Sequence, residues 1–205
     1  MKKIIIMEGY NGAGKTTTIN KLLEVNKELD KESNIFIHRA FKHNGTKIPS
    51  SIYPEHFNNI KEDIVIADML LNMDVQGKLI ADTIILDRSL PSAVVYNFWD
   101  KRQTTTDDIW SDRELIIQMF SYWSHCLKSI GEVHLFYVHS SRIPDCGSVK
   151  EKADIEKRFK SFFELLDSLE VFEKFFPKIK VHYVTNNSEA DLSKIVSGII
   201  KIMDS

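Results

Sequence analysis

Gly9-Tyr10-Asn11-Gly12-Ala13-Gly14-Lys15-Thr16 has the residue types and spacing needed to hold phosphate. It fits G-x-x-x-x-G-K-[ST] at every fixed position. The glycines permit backbone angles that side chains forbid, so successive N–H groups can turn inward around an anion. Lys15 is long enough to reach the outer phosphates of a triphosphate, and the Thr16 hydroxyl suits Mg²⁺. The pattern needs a strand before it and a helix after it. Lys3-Ile4-Ile5-Ile6-Met7 supplies the strand, and Ile19, Leu22 and Leu23 mark one helical face.

Asp87-Arg88-Ser89 follows the apolar run Thr83-Ile84-Ile85-Leu86. An acid at such a strand tip is the usual second anchor for magnesium, and an arginine beside it can grip a phosphate through two bonds. A third group is basic: His38-Arg39-Ala40-Phe41-Lys42-His43, which holds no carboxylate. Phosphorylating a free hydroxyl calls for a carboxylate base. Phosphorylating an existing phosphate calls for cations that hold two anions together. The position favours an acceptor that already carries phosphate, with Glu8 as the spare carboxylate. Arg142, Lys150, Lys152, Lys157 and Arg158 fall in a breaker-containing stretch over about 142–158, which reads as a cationic lid.

The elements that must position these groups alternate. Strands are expected at 3–7, 34–38, 83–86, 133–138 and 179–184. Helices are expected at 15–29, 57–80, 91–99, 112–130, 154–173 and 189–203. This alternation predicts an α/β fold, a parallel sheet covered on both faces, with its ligands beyond the carboxyl ends of the strands. The chain of 205 residues reads as a single domain over 1–205. It is 43% hydrophobic and 27% charged with net charge -2, so nothing in its balance draws it to nucleic acid or membrane. Two cysteines without metal or redox spacing fit a reducing cytosol. No apolar run approaches membrane-spanning length.

Glu8 to Thr17 resembles the opening of thymidylate kinases, E-G-x-[DE]-G-x-G-K-[ST]-T. Asp87-Arg88-Ser89-Leu90-Pro91-Ser92, followed by Tyr96, is similar to that family's D-R-[YH]-x-x-S-x-x-A-Y. The resemblance implies a P-loop NTPase fold with a five-stranded parallel sheet and a short lid. It implies Mg-ATP as donor and a nucleoside monophosphate, dTMP-like, as acceptor. On that basis Asn11, Gly12, Ala13, Gly14, Lys15, Thr16, Thr17 and Asn186 hold ATP, and Thr16 and Asp87 hold magnesium. Glu8, Arg39, Arg88, Ser92 and Tyr96 face the acceptor. Lys15, Asp87, Arg88 and the lid arginines, Arg142 and Arg158, serve the transfer. The family also implies a homodimer through helices. The resemblance has gaps. Asn11 stands for the acid of the phosphate loop, Ala40-Phe41-Lys42-His43 for E-P-G-G, and Val65-Ile66-Ala67-Asp68-Met69 for F-x-A-x-R.

Two other readings stay open. Asp87-Arg88-Ser89 also matches the acid-Arg-Ser signature of deoxynucleoside kinases, which act on a hydroxyl; a nucleic-acid hydroxyl is a further acceptor of that kind. Asp74-Val75-Gln76-Gly77 spells the D-x-x-G of GTPase switches, though in a stretch expected to be helical.

Overall fold

The computed structural model describes residues 1–10, 12–29, 34–39, 53–97, 113–141, 153, 156–162 and 179–205, with backbone alone at 53–61, 96–97 and 113–116. Its order is β1 (Lys2–Glu8), α1 (Lys15–Glu28), β2 (Ile35–Arg39), α2 (Tyr53–Val75), β3 (Thr83–Asp87) and α3 (Leu90–Asn97). There follow α4 (Arg113–Ile130), β4 (Gly131–His139), a helical stretch at 156–162, β5 (Ile179–Thr185) and α5 (Glu189–Met203).

All five strands are parallel, in the order β2-β3-β1-β4-β5. The three inner strands are the apolar ones. β3 is buried throughout and β1 nearly so, as continuous hydrophobic runs covered on both faces require. At the edge, β5 alternates between covered and exposed positions. Helix α1 packs against α5, and α2 against α3 and α4. Trp123, Phe120, Phe159 and Phe162 are fully buried, so the aromatics of the helical stretch at 156–162 are core.

The sheet order places the site. β1 lies between β3 and β4, so the chain leaves its two neighbours in opposite directions. That is a switch point, where a crevice opens beyond the carboxyl ends. Registers put Met7 beside Asp87, Glu8 beside Tyr137, Arg39 beside Asp87 and His139 beside Thr185, so the tips end level.

Helix boundaries differ from expectation at α2. The helix begins at Tyr53 rather than 57, with Pro54 inside the first turn, where its missing N–H costs no helical bond. It ends at Val75 rather than 80. Lys78 N–H reaches back to Met73 O at 2.8 Å, and Gly77 N–H to Asp74 O at 2.9 Å. With Gly77 at φ 65 this is a Schellman motif, which stops the helix. Asp74 and Gly77 therefore close a helix. Lys2 pairs with Asp74 at 2.7 Å, which fixes that end at the amino edge of the sheet, opposite the switch point.

Candidate active site

The phosphate loop runs from the buried tip of β1 into α1. Gly9 has φ 133, Gly12 φ 83 and Gly14 φ 90, all left-handed or beyond. At Gly9 a Cβ would sit 2.3 Å from Val138 O, so β4 passes too close for any side chain. Gly14 is the N-cap of α1 and has no side chain to cap the first turn, which also carries no acid. The helix dipole is therefore left for an anion. By contrast, Ser188 caps α5 by accepting from Asp191 N–H at 3.1 Å.

Within the loop the Lys15 ammonium turns back and donates to Gly9 O and Tyr10 O, each at 2.8 Å. Burial, followed by the nearby Arg88 charge, pushes its pKa down to about 7 despite Glu8 and Asp87. Thr16 Oγ1 donates to Asp87 Oδ2 at 2.8 Å. These two hard oxygens stand at the mouth of the loop and match the few protein oxygens that Mg²⁺ takes alongside phosphate and water. Among the described residues no cluster of three His, Cys, Asp or Glu side chains is placed to hold a metal by itself.

Two anchors that motif reading does not find hold the loop. Tyr10 is buried, donates its hydroxyl to Ser140 O and meets His139 edge-on at 6.5 Å. Asn186 Nδ2 donates to Ala13 O at 3.2 Å, and its own N–H to His139 O at 2.8 Å. Ser141 N–H donates to Asn187 Oδ1 at 2.6 Å. The tips of β4 and β5 thus brace the loop through Tyr10 and Asn186. Asn186 was expected on the ATP side and here also braces the loop; Tyr10 was not singled out, though an aromatic at the first variable position of the motif is a signal that could have marked it.

On the other side of β1, Arg88 is the one non-glycine among the described residues at positive φ, at 74. Its N–H donates to Met7 O at 3.0 Å. The left-handed turn brings Ser89 N–H to Glu8 Oε1 at 2.9 Å, and the Ser92 hydroxyl to Glu8 Oε2. Glu8 is fully buried; that burial, against two donors and the Arg88 and Lys15 charges, raises its pKa to about 7. Glu8 therefore fastens the Asp87–Ser92 turn to β1, with both oxygens in use.

The structure brings together Glu8, Gly12, Ala13, Gly14, Lys15, Thr16, Asp87, Arg88, Ser92 and Asn186, with Thr17 on the exposed first turn of α1. Arg39 ends β2 and donates to Asn20 Oδ1 at 3.0 Å, on the flank of α1. Arg158 lies in the helical stretch at 156–162, where burial lowers its pKa. Glu156 of that stretch pairs with His139 at 3.4 Å, tying it to the tip of β4. Asn11, Arg142, most of the expected lid and the Tyr96 side chain lie outside the described residues.

No protein-family model matches the chain, and no curated protein does. Solved structures do. Thymidylate kinase from Ehrlichia chaffeensis is 17% identical, with TM-score 0.56 over 99% of this chain and 100% of that one. Thymidylate kinase from Candida albicans is 14% identical over 99% and 91% of the two chains, with TM-score 0.48. The expected architecture, an α/β fold with five parallel strands, is the one observed, and it is the fold of thymidylate kinase.

Proposed function

We propose that the chain transfers the terminal phosphoryl group of magnesium-bound ATP to a nucleoside monophosphate, with a dTMP-like acceptor preferred. The observation that carries this reading is the meeting of Lys15, Thr16, Asp87 and Arg88 at one switch point. The bare N-terminus of α1 and the loop N–H groups hold the donor phosphates. Lys15 exchanges two carbonyl bonds for phosphate oxygens. Thr16 and Asp87 hold the magnesium ion, which draws charge from the phosphoryl oxygens when bound. Arg88 holds the acceptor phosphate, and the lid arginines Arg142 and Arg158 offset charge that develops on the transferring group. Asn186 and its neighbours border the adenine.

A hydroxyl acceptor needs an ionised carboxylate free to take its proton. Glu8 already accepts two hydrogen bonds. That favours an acceptor phosphate, whose oxygen attacks without a base. The GTPase reading loses its motif, because Asp74 and Gly77 sit at the edge of the sheet away from the phosphate loop. On this reading the chain works on small nucleotides, in the cytoplasm. A homodimer would use the outer faces of α2 and α4, where Val65, Met69 and Tyr122 stand exposed.

The test is a substrate screen with labelled ATP and Mg²⁺, offering nucleoside monophosphates, nucleosides and 5′-hydroxyl oligonucleotides. Transfer to monophosphates is expected. Transfer to nucleosides or oligonucleotides but not to monophosphates would overturn the reading.

A further inference from the structure

A groove of about 500 Å³ lies between α5 and the outer strands β4 and β5. That is room for a small organic ligand. One wall holds Phe136 and His182; the other is the stripe Lys194, Ile195, Gly198 and Ile202 on α5. The groove is not the phosphotransfer crevice. Phe136 pairs with His182 three residues short of the His139–Thr185 tips, about 10 Å below them. Helix α5 runs back from those tips to the amino edge, where Lys3 Nζ donates to Ser205 Oγ at 3.0 Å. The groove follows it down the flank of the sheet.

Gly198 keeps this space open. It lies inside α5, where glycine weakens a helix relative to alanine. A Cβ there would meet nothing within 4 Å, and the residue does not need a positive φ. Neither crowding nor backbone strain accounts for the glycine. Its effect is to leave the helix bare opposite the sheet.

The facing wall carries one polar atom of defined role. The His182 ring stacks on Phe136, with centroids 4.5 Å apart and planes 16° from parallel. His182 Nε2 lies 3.0 Å from His134 Nδ1. Lys180 and Lys3 bond to Glu132 and keep it ionised, and Glu132 Oε1 lies 3.3 Å from His134 Nε2. That charge favours a proton on His134 Nε2. His134 Nδ1 then accepts, His182 Nε2 donates, and His182 Nδ1 is left as an acceptor. Burial pushes both imidazoles below the usual histidine range, so both are neutral at pH 7.

The upper end of the groove holds Asp191 and Lys194. Asp191 is spent on the start of α5: its Oδ2 accepts from Asn187 N–H at 3.1 Å, and its own N–H donates to Ser188 Oγ at 3.1 Å. Lys194 makes no hydrogen bond or ion pair among the described residues. The unspent charge is therefore positive.

We propose that this groove is a second small-molecule site, which takes a flat heteroaromatic anion carrying a ring N–H. The ring lies between Gly198 and the sheet, its N–H donates to His182 Nδ1, and its carboxylate or phosphate pairs with Lys194. The site does not depend on the proposed kinase activity.

The probes are indole-3-acetate, 3-indoxyl phosphate and 1-methylindole-3-acetate, titrated into the full chain by NMR with and without saturating Mg-ATP. Wild type, Gly198→Leu, His182→Phe and Lys194→Ala are compared. Indole-3-acetate or 3-indoxyl phosphate should bind wild type with Kd of about 1 mM or below, and the tighter of the two tells which anion the site takes. Methylating the ring nitrogen should weaken binding about tenfold in wild type and change nothing in His182→Phe. Lys194→Ala should weaken it about threefold or more. Gly198→Leu, whose side chain occupies the open space, should abolish it while the melting temperature holds or rises. Mg-ATP should leave probe binding in place. Failure of wild type to bind either anion, equal binding by Gly198→Leu, or displacement by Mg-ATP overturns the proposal, the last because the probes would then be reading the donor site. If His182→Phe does not fold, Gly198→Leu and the methylated probe still decide. None of these readouts uses turnover, so the kinase reading stands or falls separately.

Discussion

The hydroxyl of Thr16 donates to Oδ2 of Asp87 at 2.8 Å, joining the first turn of α1 to the tip of β3. Two residues 71 positions apart thus meet at the mouth of the phosphate loop. Asp87→Asn keeps the size and loses the charge. It should raise the Mg²⁺ concentration needed for half-maximal rate by about tenfold or more and lower kcat by about 10²- to 10³-fold. A magnesium titration of initial rates checks this; wild-type magnesium dependence would remove Asp87 from the metal site.

Lys15 titrates near pH 7 in the ligand-free chain. Its charge fades as pH rises through that value, so kcat/KM for ATP should fall above pH 7, by up to tenfold per unit. Lys15→Arg, which cannot lose its proton, should lack that alkaline limb, whereas Lys15→Ala should lower kcat at every pH by about 10²-fold or more. A pH series of initial rates at low ATP is the measurement.

The same two groups set a pH dependence of stability. The folded-state pKa of Glu8 is raised from 4.5 to about 7, so the stability it contributes is full below pH 4.5 and lost as pH rises through 7. The folded-state pKa of Lys15 is lowered from 10.5 to about 7, so its contribution is full above 10.5 and lost as pH falls through 7. Together they put a dip in stability near pH 7. Thermal melts across pH 4.5–10 should show it, and Glu8→Gln should flatten the acid side.

Arg88 holds φ 74, a conformation that costs a non-glycine residue about 1–2 kcal/mol. Arg88→Gly should therefore lose acceptor affinity while keeping or raising the melting temperature. Arg88→Ala should lose affinity without that relief. Acceptor KM and melting curves for the pair separate the guanidinium from the backbone.

A Cβ on Gly14 would lie 2.2 Å from Asn186 Nδ2, and φ is 90 there. Gly14→Ala should weaken ATP binding by about tenfold or more. Adding Asn186→Ala should recover part of this, because it removes the collision and leaves the backbone strain of about 1–2 kcal/mol. Equilibrium binding of ATP to the single and double variants is the check.

Much of this was legible in the residues. All five strands were, because Ile4-Ile5-Ile6 and Ile84-Ile85-Leu86 are apolar runs that fit only a covered parallel sheet. The phosphate loop and Asp87 were also legible, since their chemistry is written in local spacing. The strand order was not. Nothing local tells β1 that β3 and β4 will flank it. The bounds of α2 were misjudged, because Pro54 reads as a breaker until its place in the first turn is known. The braces Tyr10–Ser140 and Asn186–Ala13 join residues far apart in the chain, so only the packed fold reveals them. The burial of Asp63 on α2 was not legible either, since burial is a property of the fold and not of the letter.

The bond from Asn186 to Ala13 also bears on how the chain comes to life. The phosphate loop leaves the ribosome well before its brace, which follows 173 residues later in the chain. Between them the chain must pair β1 with β3 and β4, contacts of high sequence separation that form slowly. A nascent chain that stops short of β5 carries the whole motif and lacks the asparagine that shapes it. Donor binding should therefore arise late in synthesis, with the closing strand, and not when the motif itself emerges.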